Sequence, residues 1–192
     1  MKTIVALVII IAFFAVPCAI RADENAKVLL IAREVSEDMT FMIRNEVFPM
    51  IDLLKKGNCD VSVATESGLP IIAGEEKLIP DLKLDDVHLA DYTGIIIPCM
   101  ACGSMKNSVP KASIAILKEA AAAGIPIAAQ NALEMIDAAG LRKGKKVSTW
   151  VGVVQDGNLI TSYNCPYMSH ANGKPIDTPQ LVAAFIKALA MQ

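Results

Sequence analysis

The sequence lacks the features that mark several large classes of protein. Its 192 residues contain no Gly-x-Gly-x-x-Gly or Walker-type phosphate loop, which argues against nucleotide binding. No apolar run reaches the roughly 20 residues that a membrane-spanning helix needs. The one basic cluster, which we place in a loop, consists of Arg142, Lys143, Lys145 and Lys146. A short run of this kind is typical of a solvated surface, so we predict no nucleic-acid partner.

The longest apolar run lies at the N-terminus and predicts export. Lys2 precedes an uninterrupted apolar stretch over residues 4–16, and small residues follow it. A positive start, a short apolar run and a small-residue cleavage site are typical of a secretory signal. We therefore predict a signal peptide over residues 1–22 and a periplasmic or extracellular mature chain without a stable membrane anchor. An uncleaved anchor is the alternative.

Residues 23–192 are long enough for one domain with a sizeable core. Strand and helix patterns alternate along this segment. Strands are expected at 27–32, 60–65, 94–98 and 125–129, and a hairpin within 153–162; helices are expected after Ser36, at 109–123, at 132–139 and at 178–191. Such alternation predicts a three-layer α/β sandwich with a mainly parallel sheet.

Local signals refine this pattern. Ser36 is the expected N-cap of the first helix, Pro49 should kink that helix, and Gly57 should end it. Residues 66–93 form a longer connection, rich in charge and proline, that we expect to include a small β excursion. Residues 172–173 (Asn-Gly) indicate a turn within an insertion.

Residues 124–135 indicate a short buried strand that turns directly into a helix. In an open α/β sheet this turn lies at the carboxyl end of the strand, where such folds bind ligands. The turn contains Gln130 and Asn131, and no cysteine lies nearby.

The sequence resembles the ThiJ/PfpI superfamily of class I glutamine amidotransferase-like proteins. The similar segments are 27–32, 79–81, 91–98, 124–135, 139–147 and 154–162. Their order and spacing together are more specific than any one of them. The resemblance implies a flavodoxin-like fold and a homodimer.

The family keeps a nucleophilic cysteine at the strand-to-helix turn, and this chain does not. Gln130 and Asn131 both remain candidates for the turn position; we prefer Asn131, because asparagine tolerates the positive φ of a strained turn. Neither amide can act as a thiolate nucleophile. Glu37 matches an acidic position of the family's first strand-to-helix turn. We therefore favour a protein without the family's protease, deglycase and glyoxalase activities, and leave open whether any enzymatic activity remains.

Cysteines follow two other predicted strands. Cys99 and Cys102 form a Cys-x-x-Cys pair after the third strand, and Cys165 and His170 follow the last one. If that last strand runs parallel, all four lie near the turn. Four interpretations remain open: a structural disulfide (Cys99–Cys102, or either with Cys165), a dithiol redox site, a metal site that includes His170, or unreactive buried thiols. We predict no cofactor, with a metal as the exception.

Two functions are compatible with these residues. The first is a stress-related module that binds an unknown small molecule in a polar pocket around Glu37, Gln130 and Asn131. Cys99 and Cys102 are further binding candidates at the same edge of the sheet. The alternative is a thiol-redox or metal-binding protein, or a diverged enzyme, that uses the Cys99-x-x-Cys102 segment.

Overall fold

A seven-stranded sheet forms the centre of the structure, a computed structural model in which residues 25–100 and 109–192 are described. Its seven strands are β1 (Ala26–Ile31), β2 (Cys59–Thr65), β5 (Leu82–Lys83), β6 (Gly94–Ile97), β7 (Ile127–Gln130), β8 (Val153–Asp156) and β9 (Leu159–Ser162), and β3 (Ile71–Ala73) and β4 (Glu76–Leu78) form a separate two-stranded sheet. The strand order of the seven-stranded sheet is β5-β2-β1-β6-β7-β9-β8, and only its β8–β9 pair is antiparallel. The predicted mainly parallel α/β sheet is confirmed.

Helices cover both faces of the sheet. They are α1 (Met39–Met42), α2 (Phe48–Lys56), α3 (Lys111–Ala122), α4 (Leu133–Ala138), α5 (Pro166–Asn172) and α6 (Thr178–Leu189). A π-helical turn, Ile43–Val47, joins α1 to α2, and short 3-10 helices span Leu84–Asp86 and Leu89–Asp91. Within the described ranges, no helix is long and apolar enough to cross a membrane.

The apolar runs of the central strands supply both hydrophobic cores. Val28 and Leu30 of β1 pack on the side of α2 and α6, whereas Leu29 and Ile31 pack on the side of α3 and α4. All four side chains are at most 1% exposed. Because successive strand residues point to opposite faces, a strand buried on both faces must be apolar at every position.

Several local predictions are confirmed, and one is wrong. The 66–93 connection contains the antiparallel β3–β4 hairpin, and residues 153–162 form the β8–β9 hairpin. The N-cap of α1 is Asp38, whose side chain accepts a hydrogen bond from Phe41 N at 2.9 Å, rather than Ser36. The turn predicted at residues 172–173 is confirmed, because α5 ends there and Gly173 takes a φ of +67°.

The carboxyl ends of β6, β7 and β9 lie at the same edge of the sheet, because these strands are parallel. The condition under which Cys165 would lie near the turn is therefore met. The predicted signal peptide and Cys102 lie outside the described residues.

Candidate functional site

The strand-to-helix turn after β7 is built on Asn131. Its φ is +46°, the positive value expected at this turn, and its backbone N–H donates to the carbonyl of Ser162 at 2.7 Å. Gln130 is the last residue of β7 and is fully buried, with its amide 2.8 Å from the hydroxyl of Thr178. Gln130 thus fixes α6 to the sheet, and Asn131 is the residue at the edge.

Two cysteines meet at Asn131. Cys99 follows β6 and Cys165 follows β9, the two strands that flank β7. The Asn131 side-chain amide donates to Cys99 Sγ at 3.6 Å, and both Cys99 and Asn131 hydrogen-bond to the Cys165 sulfur. Cys99 is 1% exposed and Cys165 is fully buried. Three strand ends therefore converge on a pair of buried thiols.

The surroundings of Cys165 favour its thiolate form. The hydrogen bond from Cys99 is the largest effect, and the backbone N–H groups of Met168 and Tyr167 in the first turn of α5 add to it. Together with the Asn131 amide they outweigh burial, and they lower the pKa of the Cys165 thiol to about 7. Donors aimed at a sulfur stabilise its anion, as at other reactive cysteines.

Glu46 lies directly behind this pair. It belongs to the π-helical turn, is fully buried, and accepts hydrogen bonds from Cys99 N at 2.9 Å and Met100 N at 3.0 Å. Burial, followed by the negative charge of Cys165, raises the pKa of Glu46 to about 8. Glu46 and Cys165 therefore titrate close together as an interacting pair.

Arg33 contributes a positive charge to the same edge. It follows β1, is 9% exposed and forms an ion pair with Glu134 in the first turn of α4. Burial lowers the pKa of Arg33, and attraction to Cys99 and Glu46 opposes that shift. The site thus combines one cation with two carboxylates and two thiols.

Sequence reasoning missed both Glu46 and Arg33. The available signal for Glu46 was a single charged residue four positions from both Met42 and Met50, on an otherwise apolar helix face. The available signal for Arg33 was its charge directly after the apolar run of β1, at the edge of the sheet where such folds bind ligands.

Other predicted site residues lie apart from the thiol pair. Glu37 is exposed, and His170 is exposed with its ring 6.5 Å from that of Phe41. Among the described residues, no group of three or more His, Cys, Asp or Glu side chains could hold a metal. The described cysteines, Cys59, Cys99 and Cys165, are thiols and form no disulfide.

The sequence model of the DJ-1/PfpI family matches residues 26–174. The chain belongs to the DJ-1/PfpI family. Proteins of this family are commonly dimeric and generally work without a cofactor. An uncharacterized protein of Archaeoglobus fulgidus is 27% identical over 182 residues, covering 85% of this chain and 98% of that protein. Protein DJ-1 homolog B of Arabidopsis thaliana is 29% identical, and the match covers 73% of this chain but only 35% of that protein.

Solved DJ-1 structures share the fold. Drosophila melanogaster DJ-1beta is 20% identical with a TM-score of 0.64, and the match covers 88% of this chain and 92% of the other. Toxoplasma gondii DJ-1 in an oxidized form is 19% identical with a TM-score of 0.62, covering 87% of this chain and 95% of the other. At such identities the likeness shows the fold alone.

Proposed function

We propose that this DJ-1/PfpI domain carries out thiol-dependent chemistry with Cys165 as its nucleophile, in place of a cysteine at the strand-to-helix turn. The observation that carries the proposal is the position of Cys165. Its sulfur lies beside Asn131 and receives hydrogen bonds from the Cys99 thiol and from the first turn of α5. The substrates would be small electrophiles, because a fully buried sulfur cannot reach a macromolecule.

The ionisation of Cys165 supports this role. The thiolate is the reactive form of cysteine, and a thiol with a pKa near the ambient pH combines ionisation with nucleophilicity most effectively. At a pKa of about 7, about half of the Cys165 side chain is ionised at neutral pH. Glu46 retains its proton to a higher pH, which places a proton source beside the anion.

The alternative function, a non-catalytic module that binds a small molecule, has less support. Of the three residues assigned to a polar pocket, Glu37 is exposed to solvent and Gln130 is paired with Thr178 in the core. A surface cavity of about 490 Å³ lies elsewhere, between Glu66 and Val109. We also propose that the predicted signal peptide directs export. A homodimeric state is proposed from the family resemblance.

Competitive labelling tests the proposal. The full-length protein would be treated with a limiting amount of iodoacetamide at pH 7, and the labelled cysteine would be located by peptide mass mapping. We expect Cys165 to be labelled first in the wild type and in a Cys59→Ser control, and the fast phase to be absent from Cys165→Ser. Fastest labelling at Cys102 would favour the Cys-x-x-Cys segment instead. Equal, slow labelling of all cysteines would contradict the proposal and favour the binding module.

A further inference from the structure

We infer that Cys99 and Cys165 form a reversible dithiol–disulfide couple, so that oxidation at the ends of β6 and β9 switches off the nucleophile. The inference rests on the proposed function only in taking Cys165 as the attacking thiol. Beyond that function, it assigns an oxidised state to the site, with Cys99 as the partner sulfur and a low-molecular-weight disulfide as the oxidant.

The geometry brings the two sulfurs together. Cys99 follows β6 and Cys165 follows β9, the strands on either side of β7, and the Cys99 side chain hydrogen-bonds to the Cys165 sulfur. A disulfide needs an S–S separation of about 2 Å, so side-chain rotation must close the remaining gap. Asn131 hydrogen-bonds to both sulfurs and keeps them at the same place.

Burial makes the couple intramolecular. Cys99 and Cys165 are at most 1% exposed, so a cysteine of another protein cannot reach either sulfur in the native fold. Cys59 lies at the amino end of β2, on the opposite edge of the sheet, and cannot compete. A small disulfide can enter by local fluctuation, and once it has reacted, the neighbouring thiol is already in place.

The chemistry balances in two exchange steps. In the first, the Cys165 thiolate attacks one sulfur of the small disulfide. A mixed disulfide forms, the reagent's S–S bond breaks, and one reagent thiolate leaves and takes up a proton. In the second, Cys99 loses its proton and attacks the Cys165 sulfur, which expels the second reagent thiol. The protein loses two electrons and two thiol protons, and the reagent is reduced to two thiols.

Backbone contacts connect this switch to the rest of the site. The N–H groups of Cys99 and Met100 are both held by the Glu46 carboxylate, which fixes the end of β6 while the side chain of Cys99 rotates. When Cys165 enters a disulfide, Glu46 also loses the negative neighbour that helps to raise its pKa. Oxidation therefore changes the protonation of the site as well as its nucleophile.

Equilibration with 2-hydroxyethyl disulfide and 2-mercaptoethanol tests the inference on the full chain. After an acid quench, intact mass and peptide mapping would be recorded for the wild type, Cys59→Ser and Cys99→Ser. We expect the wild type and Cys59→Ser to lose two hydrogens and to yield a Cys99–Cys165 linked peptide. A wild type that stops at the mixed disulfide, or a link that maps to Cys99–Cys102, would overturn the inference.

Cys99→Ser separates this inference from the proposed function. With Cys99 removed, no second thiol among the described residues lies at the site, so we expect this variant to accumulate the 2-mercaptoethanol adduct on Cys165. If the adduct forms there but the wild type makes no Cys99–Cys165 bond, the couple is wrong and the nucleophile stands. If Cys165 forms no adduct in either protein, the proposed function itself fails. The peptide map of the wild type shows whether the Cys99–Cys165 disulfide forms, even if the variant folds poorly.

Discussion

Cys59 and Cys165 are both buried thiols, yet they lie at opposite edges of the central sheet and their surroundings act on them in opposite directions. Cys59, at the amino end of β2, is 4% exposed and donates to the carbonyl of Gly57 at 3.7 Å. Burial, followed by the charge of Asp60, raises the pKa of Cys59. Cys165, after β9, has a lowered pKa although it is more deeply buried.

The difference shows that burial alone does not determine the ionisation of a thiol. Cys59 meets a hydrogen-bond acceptor, which favours the protonated form, whereas Cys165 meets donors from Asn131, Cys99 and the start of α5. Ligand sites of open α/β sheets form at the carboxyl edge, where loops and helix starts present such donors. Substitutions that remove the donors at the carboxyl edge should therefore reduce the difference between the two thiols.

Glu46→Ala is expected to have the largest effect. It leaves the N–H groups of Cys99 and Met100 buried without their acceptor and opens a cavity, so we expect a loss of about 3 kcal/mol in the free energy of unfolding. Urea denaturation measures this loss. Glu119→Ala, on the exposed face of α3, is the matched control and should change stability by less than about 0.5 kcal/mol. A similarly small change in Glu46→Ala would show that Glu46 does not stabilise the site.

The pH dependence of stability should have opposite signs at the two cysteines. The folded-state pKa of Cys165 is depressed, so its contribution is present above its unfolded pKa of 9.0 and is lost as pH falls through about 7. Relative to Cys165→Ser, the wild type should gain about 2 kcal/mol between pH 7 and 9. For Cys59, whose pKa is raised, the wild type should lose stability relative to Cys59→Ser above pH 9. Urea titrations at several pH values check both signs; equal slopes would contradict the comparison.

Tyr167→Pro removes one N–H donor from Cys165 without lengthening or shortening the chain. Proline is tolerated in the first turn of a helix, so α5 should persist. If the pKa of Cys165 rises by about one unit, alkylation of Cys165 at pH 7 slows about five-fold. Tyr167→Ala removes the same side chain but keeps the N–H group, and it should alkylate at the wild-type rate. Equal slowing in both variants would assign the effect to the side chain.

Asn131→Ala and Asn131→Gly should have smaller effects that can be separated. Both remove the amide that hydrogen-bonds to the two sulfurs, so both should slow alkylation of Cys165 by about two- to three-fold. Only alanine is strained at a φ of +46°, so Asn131→Ala should also be about 1 kcal/mol less stable than Asn131→Gly. Thermal unfolding gives the second comparison. Unchanged alkylation in both variants would show that the amide does not act on the thiols.

The fold was largely predictable because continuous apolar runs such as 27–32 are characteristic of strands buried on both faces. The turn at Asn131 was predictable for a similar local reason, the strained backbone between a buried strand and a helix. The order of the strands in the sheet could not be predicted from such local signals. Cys99 and Cys165 meet only because β9 pairs in parallel with β7, and this pairing is a tertiary contact.

The residues that were missed depend on features without a periodic signal. Glu46 lies in a π-helical turn on a buried helix face, where a pattern of apolar residues gives no reason to expect a carboxyl group. Helix α5 is only seven residues long and is stabilised by tertiary contacts, such as the hydrogen bond from Asn172 to the buried Asn164. Short segments of this kind have little helical preference of their own.

The pH profile of Cys165 alkylation is the most direct test of the account. The rate would be followed by mass mapping of iodoacetamide-treated Cys59→Ser protein from pH 5 to 10, so that only the site cysteines, Cys18 and Cys102 compete. We expect labelling of Cys165 to rise with an inflection near pH 7, where its hydrogen-bond donors place the thiol pKa. An inflection at or above pH 9, the ordinary value for a thiol, would contradict the claim that the carboxyl edge of the sheet activates Cys165.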